Sequence, residues 1–312
     1  MGAAGFIGRR VVAALSASDW AAAVAASRRT GGAADAVVVD ATDEASLGAA
    51  FSGIDGIVNC VAGDGDTIRR NADAVFGAAS RLNQPPRIVH LGSMAAYGSA
   101  VGRVDETAPL LGDLDEYSKA KAAADVRALA YPAAVILRPG IVYGPQSPWW
   151  SDRIARLLMA HRLGDLGARG DGYCNLVHVD DVARSVLLAL RTPAAGQAFN
   201  VAMPSPPTWN EYFQRYARAL RAVPLRRISA RRLAVELRIV APACKLLEID
   251  ARLAGARSAA LPPPIRPWLL KLCAHEIILD VAKAQTVLGM QWMPLDAGLQ
   301  SAADWFRGGG RT

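Results

Sequence analysis

Apolar residues in the first two hundred positions fall into short unbroken runs, separated by stretches with helical spacing. Residues 20–26, 36–39, 56–61, 87–91 and 135–137 read as strands buried on both faces, because their apolar character does not alternate. Between them, residues 9–16, 43–51, 67–82 and 117–130 place apolar positions at helical intervals. Asp43 opens a capping pattern for the second helix, and Pro85-Pro86 halts the third before its strand. Strands of this kind alternating with helices predict a parallel sheet covered on both faces.

Beyond Pro145 the rhythm loosens. Helices are predicted over 151–161 and 180–190, a strand over 198–201, and a helix over 208–220 with Trp209, Tyr212, Phe213 and Tyr216 along one side. Residues 225–260 form arginine-studded amphipathic helices broken at Pro242, followed by Pro262-Pro263-Pro264. Helices at 281–288 and 295–305 close the pattern, which contains no internal repeat. The expected division is a dinucleotide-binding domain over 1–145, with 176–202 returning to it, and a mainly helical substrate domain over 146–312.

Composition narrows the class. A chain of 312 residues that is 52% hydrophobic and 20% charged can bury a core, which excludes disorder. The four cysteines, Cys60, Cys174, Cys244 and Cys273, have no paired spacing, so a reduced, cytoplasmic protein without a metal site is expected. No apolar stretch reaches about 18 residues, and no signal peptide opens the chain. Only five of the 35 basic residues are lysine, and arginines cluster at 226–227, 231–232, 238, 252 and 257. The net charge of +7 could suit nucleic acid, but no basic-aromatic pattern accompanies it, and a solvated helix face is the simpler reading.

Gly2-Ala3-Ala4-Gly5-Phe6-Ile7-Gly8 is a glycine loop entering a helix. Its glycines permit a tight turn, close backbone approach to a pyrophosphate and close packing of helix on sheet, while the helix start offers free N–H groups. Such a loop should follow a strand, yet only Met1 precedes it. An empty central slot would leave two ladders unpaired, so weak cofactor affinity and poor stability are expected unless another segment or subunit supplies the strand.

Tyr117-Ser118-Lys119-Ala120-Lys121 is Y-x-x-x-K at a helix start. The i, i+4 spacing puts phenol and ammonium on one face. A nearby ammonium favours the phenolate, which can then exchange a proton with an alcohol or ketone. Ser93 ends the run Ile88-Val89-His90-Leu91-Gly92-Ser93, where its hydroxyl could hold a substrate oxygen.

These pieces occur in order with Ser93-Met94-Ala95-Ala96-Tyr97-Gly98, Arg138-Pro139-Gly140-Ile141-Val142-Tyr143-Gly144-Pro145 and Val177-His178-Val179-Asp180-Asp181-Val182-Ala183. The sequence resembles the extended short-chain dehydrogenase/reductase family, also called the NAD-dependent epimerase/dehydratase family, along nearly its whole length. The resemblance implies a Rossmann-like, doubly wound α/β fold lacking its first strand. It implies catalytic roles for Ser93, Tyr117 and Lys121, with Asn71 helping to position the lysine. It also implies cofactor contacts by Gly2, Gly5, Phe6, Ile7, Gly8, Asp40, Ala41, Val61, Ala62, Gly63, Pro139, Gly140 and Val142. Asp181 is expected to cap its helix.

Departures from the family narrow the substrate. Met94 and Ala95 stand where sugar dehydratases of the family carry an acidic pair, so dehydration is not expected. Tyr173-Cys174-Asn175-Leu176 lacks the arginine with which sugar-nucleotide enzymes grip a diphosphate. The insert over 225–267 looks instead like the 3β-hydroxysteroid dehydrogenase-like branch. The expected activity is therefore NAD(P)-dependent hydride transfer to or from an apolar secondary alcohol or ketone. A sugar-nucleotide C4 epimerase and a non-catalytic cofactor-binding protein are the alternatives. Ser27 and Arg28 end the second strand without an acidic residue, which favours NADP(H) over NAD(H). The expected partners are a small-molecule substrate, a second copy in a homodimer through 67–82 and 117–130, and peripheral membrane contact through 225–268.

Overall fold

The computed structural model describes residues 1–28, 36–240, 242–243 and 264–309. The expected helical stretch over 244–260, together with Arg29, Arg252, Arg257 and Cys244, lies outside them. In chain order the strands are β1 (Ala26–Ser27), β2 (Val37–Val38), β3 (Gly56–Asn59), β4 (Arg87–Leu91), β5 (Gly102–Val104), β6 (Ala134–Pro139), β7 (Ile141–Tyr143), β8 (Leu176–His178), β9 (Gln197–Val201) and β10 (Ile277–Leu279). The helices that position the site are α1 (Phe6–Ser16), α2 (Glu44–Ala50), α3 (Gly65–Ser80) and α4 (Glu116–Leu129).

Strands β3, β4, β6 and β9 form one parallel sheet in that order, with Val89 opposite Val135 and Leu137 opposite Phe199. Alternation along the strands separates two cores. Ile88 and Ile136 point to the side of α2, α3 and α4, among Leu47, Val75 and Phe76. Val89, Leu91, Val135 and Leu137 point to the other side, with Val11 of α1 and Val182 and Val186 of the helix Val179–Arg191. Each such side chain is stabilised by about 1.5–3 kcal/mol on burial. The chain is thus a doubly wound, Rossmann-like α/β protein.

The second predicted strand is much shorter than expected. Residues 20–25 are mostly alanine, with little side chain to bury, and Trp20 and Val24 are exposed. Regular pairing is confined to Ala26 with Val37 and Ser27 with Val38. Between this pair and β3 runs the start of the chain: Ala3 N–H donates to the Ala26 carbonyl, and Cys60 N–H to the Met1 carbonyl, both at 3.2 Å.

The chain divides into two compact units, one comprising Met1–Val142, Val177–Pro204 and Ile278–Trp292, the other Tyr143–Leu176, Ser205–Ile277 and Met293–Thr312. The second unit is built on the helix Trp209–Ala219, opened by a reciprocal Thr208–Glu211 capping box. Trp209, Tyr212, Phe213 and Tyr216 on that helix are all fully buried. Trp150 packs between Trp209 and Trp268, with ring centroids 5.7 and 5.9 Å away. Among the described residues no helix is long and apolar enough to cross a membrane.

Candidate functional site

The glycine loop folds back on its own helix. Gly2 takes φ +71°, a conformation that disfavours side chains, and its carbonyl accepts from Gly5 N–H at 3.0 Å. A Cβ at Gly8 would lie 2.0 Å from that carbonyl oxygen, so only glycine fits there. Among the described residues no side chain caps α1, and its first-turn N–H groups, including those of Phe6 and Ile7, have no side-chain acceptor. A bare helix start behind a tight backbone cradle suits a pyrophosphate.

The other cofactor candidates belong to the same first unit. Val61, Ala62 and Gly63 follow β3, with Val61 N–H donating to Asn59 Oδ1 at 3.3 Å. Asp40, exposed, accepts from Thr42 N–H and Oγ1–H at 2.9 and 2.7 Å. Those bonds hold its carboxyl below the usual range, and the charges of Arg28 and Arg70 add to the effect. Arg28 is therefore an exposed cation beside Asp40, just past Ser27 of β1. Ala41 is buried, and its carbonyl accepts from Asn71 Nδ2 at 2.7 Å. At the end of β6, Pro139 pairs with Val201 and Gly140 N–H donates to the Val201 carbonyl, while Val142 follows in β7.

The three candidate catalytic groups gather at the end of β4. Ser93 leaves the strand in extended conformation and caps the 3₁₀ turn Met94–Tyr97, its Oγ accepting from Ala95 N–H. Asp115 and Ser118 form a capping box that fixes the start of α4 and hence Tyr117, which is 40% exposed. Lys121 is only 4% exposed, and its Nζ donates to the Leu91 carbonyl, two residues before Ser93, at 2.9 Å. That Nζ lies 6.0 Å from the centre of the Tyr117 ring. Ammonium and hydroxyl are thus held at one strand end, with the phenol beside the ammonium and open to solvent.

Asn71 does not join this group directly. Its Oδ1 accepts from Asn59 Nδ2 at 2.8 Å, so both ends of its amide are spent on neighbours. Asp181 is not the expected cap either. The helix starts one residue earlier than its charge pattern suggested, and His178 caps it by accepting from Asp180 N–H through Nδ1.

A buried polar layer under the site was not foreseen. His90 in β4 faces Asn59 Nδ2 at 3.2 Å through Nδ1, and its Nε2 stands 3.9 Å from Asp125 Oδ1, beyond hydrogen-bond reach. Burial, with the Lys121 charge adding, pushes its imidazole down to about 3. Asp125 pairs with Arg138, which also reaches Tyr97, and burial pushes the Tyr97 phenol up to about 12. The signal was present in the sequence. A histidine and an arginine interrupt otherwise apolar strands, and an aspartate repeats the Tyr117–Lys121 spacing.

A model of the NAD dependent epimerase/dehydratase family matches residues 1–202. Protein YeeZ of Escherichia coli K12 is 27% identical over 167 residues, covering 51% of this chain and 55% of YeeZ. The match therefore spans about half the length of that relative. UDP-glucuronic acid 4-epimerase from Bacillus cereus, in complex with UDP-glucuronic acid and NAD, superposes with a TM-score of 0.71 at 17% identity, over 98% of both chains. Human epimerase family protein SDR39U1 with NADPH gives 0.70 at 18% identity, over 97% of both. At such identities these likenesses establish the fold alone.

Proposed function

The chain belongs to the NAD dependent epimerase/dehydratase family, and from that premise we propose that it is an oxidoreductase interconverting an apolar secondary alcohol and its ketone. The observation that carries this reading is Lys121, buried and tied to the Leu91 carbonyl beside the exposed Tyr117 and two residues from Ser93. A nicotinamide dinucleotide supplies the hydride acceptor or donor. Gly2, Gly5 and Gly8 would hold its pyrophosphate with the N–H groups of Phe6 and Ile7. Asp40 and Ala41 would hold the adenine, and Val61–Gly63 and Pro139–Val142 would line the rest.

In the oxidative direction, Ser93 Oγ orients the substrate hydroxyl and Tyr117, as phenolate, takes its proton. Lys121, held at the strand end beside that phenol, would bind the ribose. In reduction the same phenol returns the proton to the developing alkoxide. NADP(H) is favoured over NAD(H), because Arg28 is an exposed guanidinium at the end of β1 and residues 24–28 include no carboxylate. We also infer contact between 225–268 and an anionic membrane surface, supported by exposed Arg231, Arg232 and Arg238 beside exposed Val235 and Ile239.

The test is turnover with a panel of apolar ketones and alcohols, followed at 340 nm with each cofactor. Wild type should change the absorbance faster with NADP(H), and Tyr117→Phe should lose at least about a hundredfold in kcat while still binding cofactor. Undiminished activity in Tyr117→Phe overturns the mechanism, and equal rates with both cofactors overturn the preference. Turnover of a UDP-sugar without net absorbance change would point to an epimerase.

A further inference from the structure

The polar layer under the site has no task in the hydride-transfer reading. Tyr117, Lys121 and Asp125 follow one another at four-residue intervals, so one face of α4 carries all three. The Asp125 side chain is fully buried, and that of Arg138, which ends the apolar run Val135-Ile136-Leu137 of β6, is 1% exposed. Arg138 Nε donates to Asp125 Oδ2 at 2.8 Å. Its Nη1 donates to the Tyr97 hydroxyl at 2.9 Å and to the Glu106 carbonyl at 3.2 Å. Tyr97 is the last residue of the turn that Ser93 caps, and its hydroxyl donates to Asn200 Oδ1 of β9 at 2.7 Å. The backbone is fitted to this arrangement, since a Cβ at Gly92 would lie 2.5 Å from Asp125 Oδ1.

We propose that Arg138 is a positioning residue whose forked guanidinium fixes the Ser93-bearing turn and the Tyr117- and Lys121-bearing helix relative to one another. The inference rests on the hydride-transfer reading of those three groups. Its physical ground is the contrast between the two kinds of contact that α4 makes. Against α3 and the sheet, α4 presents Ala120, Ala124 and Ala128, whose small side chains resist sliding poorly. Arg138 adds directional bonds in a dry interior, one limb to the helix and one to the turn. A planar fork can serve both limbs at once, which a single ammonium cannot. Misplacement of a catalytic group by about 1 Å can cost about a hundredfold in rate.

The experiment compares Tyr97→Phe, Arg138→Lys and Tyr117→Phe, alone and combined, measuring kcat, KM, cofactor Kd and melting temperature. Tyr97→Phe removes one oxygen and spares the Asp125–Arg138 pair. It should lower kcat by about tenfold while KM and cofactor Kd stay within about twofold. Arg138→Lys should lower kcat by about a hundredfold with cofactor affinity again held, and should shift the pH–rate profile. In a Tyr117→Phe background the Tyr97→Phe change should cost less than it does alone, because the alignment of Ser93 with the phenol is already lost. Full activity in Tyr97→Phe overturns the proposal even if Arg138→Lys fails to fold. So does a loss of kcat matched by an equal loss of cofactor affinity, which indicates general loosening. If Tyr117→Phe itself remains fully active, the failure belongs to the hydride-transfer reading instead.

Discussion

His90 shows how one residue can make the whole protein sensitive to acid. Its imidazole is buried among Asn59, Phe76 and Asp125, with the Lys121 charge nearby, and titrates at about 3. In the unfolded chain the same group titrates near 6.5. Between those values the unfolded state binds the extra proton, so stability falls as the pH falls. The slope from this group is at most about 1.4 kcal/mol per pH unit. Urea unfolding between pH 6.5 and 4 should therefore show falling stability, and His90→Asn should flatten that fall by close to one proton. An unchanged slope in the variant would show that His90 is not the group responsible. The exposed carboxylates held low by hydrogen bonds, Asp40 among them, act in the same direction at lower pH. At this scale the sequence was only partly legible. Tyr117 and Lys121 stood out by spacing and Ser93 by its place at a strand end, whereas the arginine in β6 and the aspartate in α4 hinted at buried polar groups without showing that they pair, which depends on which strand face meets α4.

Single elements are held at their ends as much as along their faces. The helix Val179–Arg191 ends in open carbonyls, and Arg87 at the start of β4 closes it. Its Nη1 donates to the carbonyls of Ala189 at 3.2 Å, Leu190 at 3.0 Å and Thr192 at 2.6 Å. A positive charge at a helix C-terminus is favoured by the helix dipole as well. Arg87→Met should cost about 2 kcal/mol, read as a lower urea midpoint at unchanged slope. A loss under about 0.5 kcal/mol would mean that water replaces the guanidinium without penalty. Existence and type of these elements could be read from apolar periodicity, and Asp43 caps α2 as its sequence pattern implied. The strand expected over 20–26 shrank because alanine gives a strand little to bury. The start of α3 moved to Gly65, two residues before the expected start at 67, because Asp64 caps it by accepting from Thr67 N–H.

On the scale of the whole molecule, charge is the property that reaches beyond any one site. The chain carries 35 basic residues against 28 acidic. In the stretch Ala230–Val240, Arg231, Arg232 and Arg238 are exposed, Val235 is 49% exposed and Ile239 63%. An apolar stripe flanked by guanidinium groups suits the interface of an anionic bilayer. The protein should sediment with anionic vesicles at about 0.05 M salt and lose most of that binding at about 0.5 M, where the screening length is a few ångströms. Equal binding to neutral vesicles, or none to either, would reject the contact. The two cores could be anticipated from the apolar runs, because strand and helix alternation implies a parallel sheet covered on both faces, but nothing in those runs ordered the strands. The return of residues 176–202 to the first unit was expected from the sequence, whereas no local pattern marked the return of Ile278–Trp292.

The aromatic packing of the second unit also gives the protein an uneven optical signature. Trp149, Trp150, Trp209, Trp268 and Trp305 belong to that unit, and only Trp20 and Trp292 to the other. With centroids of Trp150 within 6 Å of both Trp209 and Trp268, excitation can pass among the indoles before emission. Ultraviolet fluorescence is therefore weighted towards one half of the polypeptide, while far-ultraviolet dichroism averages over both. If the halves melt separately, the two signals will part company, and a denaturation curve recorded by emission alone will describe the half without the glycine loop.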